Sequence, residues 1–127
     1  MQLTSIFYVT QLVSDQDKAL DFYTRAVGLE KRVDVPTSDG KARFLTVGVT
    51  GQDFQLVLWP GTPGKAQPVD GRIPASCTIE TPDIEVAVSE LTSRGVDFVT
   101  GVIEHPWGWT AMFVDPDGNR LQLRQGR

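Results

Sequence analysis

Asp115-Pro116-Asp117-Gly118-Asn119-Arg120-Leu121-Gln122-Leu123 decides how this chain is read. It is a tight turn between two strands. Pro116 presets φ, Asp117 can bond its own backbone, and Gly118 supplies the positive φ that closes the turn. Met112-Phe113-Val114 leads in, and the period-2 run Arg120-Leu121-Gln122-Leu123-Arg124 leads out. Leu121 and Leu123 must face a core, which sends Gln122 to the opposite face with the two arginines. If that face lines a cavity, Gln122 sits where a functional residue would sit. Taken alone, the stretch reads as an ordinary hairpin with a polar outer face.

Outward from the hairpin, two similar halves emerge. In the second half, a strand at about 75–81 meets Asp83, an N-cap residue, and Ile84, Ala87, Val88 and Leu91 then share one helical face. Gly95 closes that helix, and strands follow at about 96–102, 109–114 and 119–125. In the first half, residues 4–13 read as a β-branched and aromatic strand. Asp15 caps a helix whose apolar stripe is Ala19, Phe22, Tyr23 and Val27, and Gly28 ends it. Strands at about 29–35, 42–49 and 53–59 follow, separated by Ser38-Asp39-Gly40 and Thr50-Gly51.

Residues 60–74 carry four of the eight prolines and three glycines, the composition of a linker. The chain is therefore βαβββ, linker, βαβββ: module one at about 4–59, module two at about 75–125, within a single domain spanning 1–127. The helix starts align as Asp15-x-x-x-Ala19-Leu20 against Asp83-x-x-x-Ala87-Val88, which points to duplication. The fold class is α+β. Each module lays one helix on the outer face of a four-stranded sheet, and two such sheets form a curved, cup-like surface enclosing a cavity suited to a small ligand.

The totals narrow the function classes. Twelve basic against sixteen acidic residues give a net charge of −4 without a basic cluster, so nucleic acid and anionic membrane surfaces are poor partners. No apolar run approaches the ~20 residues that cross a bilayer. The start, Met1-Gln2-Leu3-Thr4-Ser5, lacks signal-peptide character, and the single Cys77 excludes an intramolecular disulfide and a thiolate metal cluster. The chain reads as cytoplasmic.

A paired βαβββ unit with this wording resembles the vicinal oxygen chelate superfamily, the glyoxalase/bleomycin-resistance/dioxygenase group. The matching residues are Val13-Ser14-Asp15 through Ala19, Phe22-Tyr23 and Gly28-Leu29 in module one. In module two they are Asp83-Ile84, Gly95-Val96, Pro106-Trp107-Gly108 and Asp115 through Asn119. The resemblance implies a homodimer. It also implies, for metal-dependent members, four inward side chains on the first and fourth strands of both modules, usually His or Glu. On the motifs' spacing those positions fall on Tyr8, Gln55, Ser76 and Gln122. This chain departs from the metal pattern at all four. Two neutral amides, a hydroxyl and a phenol supply no charge to offset the dehydration of a divalent cation. No bound metal and no cofactor are expected. The lone His105, in Glu104-His105-Pro106-Trp107-Gly108, reads as a surface residue of a loop.

Without a metal, the inward face is a binding surface. Alternation places Thr10 with Tyr8, Val57 and Trp59 with Gln55, Thr78 with Ser76, and Arg120 with Gln122, while Trp107 and Trp109 enter from the loop before strand seven. Aromatic surface with neutral hydrogen-bonding groups fits a partly aromatic molecule. Cys77 alternates to the helix side, and Glu80, the one carboxylate near the cavity, reads as solvated, so no catalytic dyad is expected and no catalytic residue is assigned. Three functions stand, in order. The first is a metal-free binding protein that sequesters a hydrophobic or aromatic drug or metabolite in a cleft. The second is a metal-dependent glyoxalase-type lyase, isomerase or extradiol-type dioxygenase with non-standard ligands, built around His105 or Glu80. The third is a module that binds another protein.

Overall fold

The computed structural model describes residues 1–64 and 72–127. Of the expected linker, residues 65–71 lie outside the described residues. Two compact units are present, Met1–Pro63 and Gly64–Arg127, taken below as module one and module two.

Module one runs β1 (Tyr8–Val13), α1 (Gln16–Asp21), β2 (Glu30–Pro36), β3 (Arg43–Gly48) and β4 (Gln55–Pro60). The sheet order is β1-β4-β3-β2, with β1 parallel to β4 and the other pairs antiparallel. Asp15 caps α1 as its sequence position predicts, its Oδ1 accepting from the Lys18 N–H at 3.0 Å. Two boundaries differ from expectation. β1 begins at Tyr8 rather than Thr4, and residues 1–7 are exposed, with the Phe7 carbonyl accepting from the Gln55 N–H at 3.0 Å at the edge of the ladder. The helix also does not end as a plain α-helix: Phe22–Ala26 form a π-helical turn before Gly28 turns the chain at φ 90°. That turn buries Tyr23 completely and leaves Phe22 and Val27 half-buried. Tyr23 and Ala19 join Val13, Leu45, Val47, Leu56 and Leu58 in the core.

Module two repeats the topology. β5 (Cys77–Glu80) precedes α2 (Ile84–Ser93), then come β6 (Asp97–Phe98), β7 (Ile103–His105), β8 (Gly108–Val114) and β9 (Arg120–Gly126). The order is β5-β9-β8-β6, with β5 parallel to β9 and β7 also paired to β8. The strand expected at about 96–102 is thus two short pieces on one edge of β8. The break is at Val99–Val102, where the N–H groups of Val99 and Thr100 both reach the Met112 carbonyl, at 2.8 and 3.3 Å. The Thr100 hydroxyl then accepts from the Met112 N–H at 3.0 Å, occupying the ladder position a continuing strand would use.

α2 is capped by Asp83, whose Oδ1 accepts from the Val86 N–H at 3.2 Å. The Gln125 amide oxygen, from β9, takes the Ile84 N–H at 2.8 Å and ties the helix start to the sheet. Ile84 and Leu91 are buried with Ala111, Phe113, Leu121 and Leu123, while Ala87 and Val88 are half-buried. Each fully buried side chain of this size stabilises the fold by about 1.5–3 kcal/mol. The defining turn closes as a network around Asp115, not Asp117. The buried Asp115 carboxylate accepts from the N–H groups of Asp117 and Asn119 and from the Asn119 side-chain amide, each at 2.9 Å. Gly118 adopts φ 82°. Val114 therefore pairs with Arg120, which fixes the register of the whole β8–β9 ladder. No helix among the described residues is long and apolar enough to cross a membrane.

Candidate functional site

The register of module two sorts its side chains. Paired residues share a face, so Gln122 lies with Thr78 and Met112, Arg124 with Glu80 and Thr110, and Arg120 with Val114. Leu121 and Leu123 point oppositely, toward α2, with Ala111 and Phe113. The face away from α2 carries a cavity of about 730 Å³ formed within this module. Its apolar lining is Ile73, Pro74, Ala75, Ile103 and Met112. Neutral hydrogen-bonding groups come from Thr78, Thr100, Thr110 and Gln122, and basic ones from Arg72, Arg120 and His105. Among the described residues no Asp or Glu belongs to this lining.

Several of the polar groups are held in place. The Gln122 amide donates to the Thr78 hydroxyl at 3.4 Å, across the β5–β9 pair. His105 Nε2 is 2.8 Å from the Thr110 hydroxyl, bridging β7 and β8. Its ring stacks on Trp107 at 4.7 Å between centroids and 2° between planes. The Arg124 guanidinium lies 5.3 Å from the centre of the same Trp107 ring and pairs with Glu80. Glu80 is thereby neutralised by Arg124, outside the cavity lining. Cys77 sits on the helix side, half-buried, and burial pushes its thiol pKa up, which disfavours the nucleophilic thiolate.

Of the residues singled out in the sequence, Thr78, Arg120 and Gln122 come together in this cavity. Ser76 is exposed at the start of β5, its hydroxyl donating to the Arg120 carbonyl at 3.0 Å. Trp107 stands behind His105 rather than in the lining. Trp109 is misplaced by the sequence reading. It pairs with Gln125, so it faces the α2 side, where the Arg127 guanidinium covers its ring at 4.6 Å. The reason is that Trp109 lies inside β8, which begins at Gly108, so alternation from Met112 and Thr110 sends it away from the cavity. His105 is the reverse case: read as a loop-surface residue, it belongs to β7 and lines the cavity. Met112 was legible in principle, because a turn that pairs Val114 with Arg120 also pairs Met112 with Gln122.

Module one presents its own face away from the core. Tyr8 pairs with Gln55, Thr10 with Val57, and Val57 with Thr46. The Tyr8 ring packs edge-on against Phe7 and Phe44, at 5.5 and 5.8 Å. The Gln55 amide oxygen accepts from the Thr46 hydroxyl at 2.6 Å, and that hydroxyl also accepts from the Val33 N–H at 3.0 Å. Thr10 and Trp59 are exposed, but Val57 is 2% exposed and has no surface to offer a ligand. Its expected ligand contact is therefore corrected to a packing role.

With this geometry in hand, a family model described as the Glyoxalase/Bleomycin resistance protein/Dioxygenase superfamily matches residues 5–123. The chain belongs to this superfamily. TnmS3, an antibiotic binding protein from Streptomyces sp. CB03234, is 36% identical, covers 100% of this chain and 99% of its own, and superimposes with a TM-score of 0.83. A superfamily member from Sphaerobacter thermophilus DSM 20745 is also 36% identical, over 97% of this chain and 98% of its own, with a TM-score of 0.79. The uncharacterized protein YurT of Bacillus subtilis (strain 168) is 35% identical over 97% of this chain and 96% of its own. The glyoxalase/bleomycin-resistance fold, α+β with two mixed sheets, is thus the fold of this chain.

Metal-dependent chemistry in the superfamily raises the question of whether these residues fit a divalent cation. They do not. The Gln55 amide oxygen already accepts from the Thr46 hydroxyl, the Ser76 hydroxyl donates to the Arg120 carbonyl, and none of the four positions carries a carboxylate, imidazole or thiolate. Among the described residues no group of three or more His, Cys, Asp or Glu side chains converges. His105 is a single imidazole without a carboxylate among the described residues that line the cavity with it.

Proposed function

We propose that this chain is a metal-free small-molecule binding protein that sequesters a hydrophobic or aromatic drug or metabolite on the uncovered face of module two. The observation that carries the reading is the cavity lining: an apolar floor of Ile103 and Met112, neutral groups on Thr78, Thr110 and Gln122, and no carboxylate among the described residues. Such a lining orients a ligand by a few hydrogen bonds and binds it by burying apolar surface. Likeness to the antibiotic binding protein TnmS3 supports a small-molecule ligand. Within the site, Thr78, Arg120 and Gln122 contact the ligand, with Ile103, His105 and Met112 beside them. The protein acts as a homodimer.

The test is a titration of intrinsic tryptophan fluorescence with a panel of aromatic antibiotics, run with and without a chelator. Saturable binding that is indifferent to chelator, with no metal by elemental analysis, is the expected result. One metal per chain, with binding or turnover abolished by chelator, would replace this reading with a metal-dependent lyase, isomerase or dioxygenase using His105. Sedimentation velocity tests the dimer.

A further inference from the structure

We propose that the ligand of this cavity is an aromatic acid, recognised through the Arg120 guanidinium; the inference rests on the binding-protein reading above and specifies its ligand. The chain as a whole is acidic, yet among the described residues its cavity is lined by Arg72, Arg120 and His105 and by no carboxylate. Most other arginines near this sheet have anionic partners. Arg124 pairs with Glu80, and Arg127 with Glu104 at 3.6 Å.

Arg120 does not. Among the described residues its side chain has one polar partner, the Met112 sulfur at 3.8 Å, and no ion pair. A thioether is a weak acceptor, and a guanidinium presents five donors in a planar fork. Arg120 is half-buried on the cavity face, where a charge with reduced hydration and no counter-ion is costly. A carboxylate, sulfonate or phenolate entering the cavity offsets that cost with charge-assisted, bidentate hydrogen bonds. The same ligand needs a flat apolar body, because Met112 lies beside Arg120 and Ile103 pairs with Thr110 further along the same face. Arg120 lies level with Val114, and Thr110 is four residues down β8, about 13 Å at the rise of a strand. A fused-ring acid spans that distance, its anion at Arg120 and any far polar group at the Thr110–His105 pair.

The experiment uses two fluorescent probes with the same ring system, anilinonaphthalene sulfonate and uncharged N-phenylnaphthylamine, on the full chain. The expected result is a Kd for the sulfonate at least about tenfold lower than for the neutral probe, the range of a charge-assisted hydrogen bond. Arg120→Gln should abolish that preference while leaving the neutral probe's Kd within about twofold. Arg120→Lys should retain part of it. Arg25→Gln, removing a charge from the exposed Arg25–Asp21 pair on module one, should leave it intact. Equal affinity for the two probes, or a preference that survives Arg120→Gln, overturns the aromatic-acid inference and leaves the binding protein standing. Binding of neither probe, with failure of the antibiotic panel as well, overturns both.

Discussion

Replacing Asp115 by alanine should be the most informative stability perturbation in the chain. The side chain is 4% exposed, and its two oxygens take three donors: the N–H groups of Asp117 and Asn119 and the Asn119 amide. Removing the acceptor leaves those donors without it, and each costs about 1–3 kcal/mol when water cannot replace the partner. Asp117 and Asn119 are half-buried, so water partly compensates and the low end applies. The sum is about 3 kcal/mol. For a domain of this size that corresponds to a fall in Tm of roughly 10 °C. Asp115→Asn is the discriminating control. Its amide oxygen still accepts from the two backbone N–H groups, but its NH2 opposes the Asn119 amide, so about 1 kcal/mol is lost. Urea denaturation followed by circular dichroism reads both, with the m-value checking that the unfolded state is unchanged. An Asp115→Ala chain within 0.5 kcal/mol of the parent would refute the idea that this carboxylate closes the turn.

Gly118→Val should cost at least about 1–2 kcal/mol by denaturant titration, since its φ of 82° is left-handed and a Cβ there meets no neighbour to blame instead. Gly108→Ala should be worse and abolish cooperative unfolding, because its Cβ would lie 2.2 Å from the Gln125 carbonyl oxygen and β8 could not reach β9. Gln122→Ala should weaken probe binding several-fold with Tm unchanged within about 2 °C, as its amide makes one long contact to an exposed threonine. Lowering the pH should destabilise module one through Glu30. The Thr50 hydroxyl, then Arg32, hold its pKa below the ordinary 4.5, so its contribution is present above that value and lost as pH falls through the folded pKa. Glu30→Gln should remove that acid-side slope in a pH series of Tm.

What the sequence makes legible is whatever rests on local chemistry. Asp15 and Asp83 cap helices because a short acceptor before an apolar stripe has few other uses, and both do so here. The duplication follows from those caps, and the hairpin from Gly118. Features that depend on the partner strand are harder to see. β7 is three residues long, too short for any period, yet it carries His105 to the cavity. The break before it is set by where Thr100 reaches Met112, twelve residues away. Trp109 went to the wrong face because it was read as part of the loop before the strand, whereas β8 already includes it and strand alternation fixes it on the face of Ala111 and Phe113. The π-helical turn at Phe22–Ala26 has no composition signal, since a single extra residue in a turn leaves the apolar stripe nearly unchanged.

The two modules show why topology alone does not make a site. Both sheets have the same strand order, and both leave one face uncovered by their helix. In module one that face is occupied by its own side chains. The Arg32 guanidinium lies over Gly48 and donates to the carbonyls of Val49 and Gln52, at 2.5 and 2.7 Å, while the amide of Gln55 is spent on Thr46. In module two the comparable surface keeps polar capacity in hand: the Gln122 contact is long, and among the described residues Arg120 has only a sulfur. Swapping this relation is a direct test. Met112→Glu places a carboxylate beside Arg120 and gives the guanidinium an internal partner, as Glu30 serves Arg32. The sulfonate probe should then lose its advantage over the neutral one, while Tm holds or rises. Retained preference for the sulfonate would show that Arg120 is not the group that reads the charge.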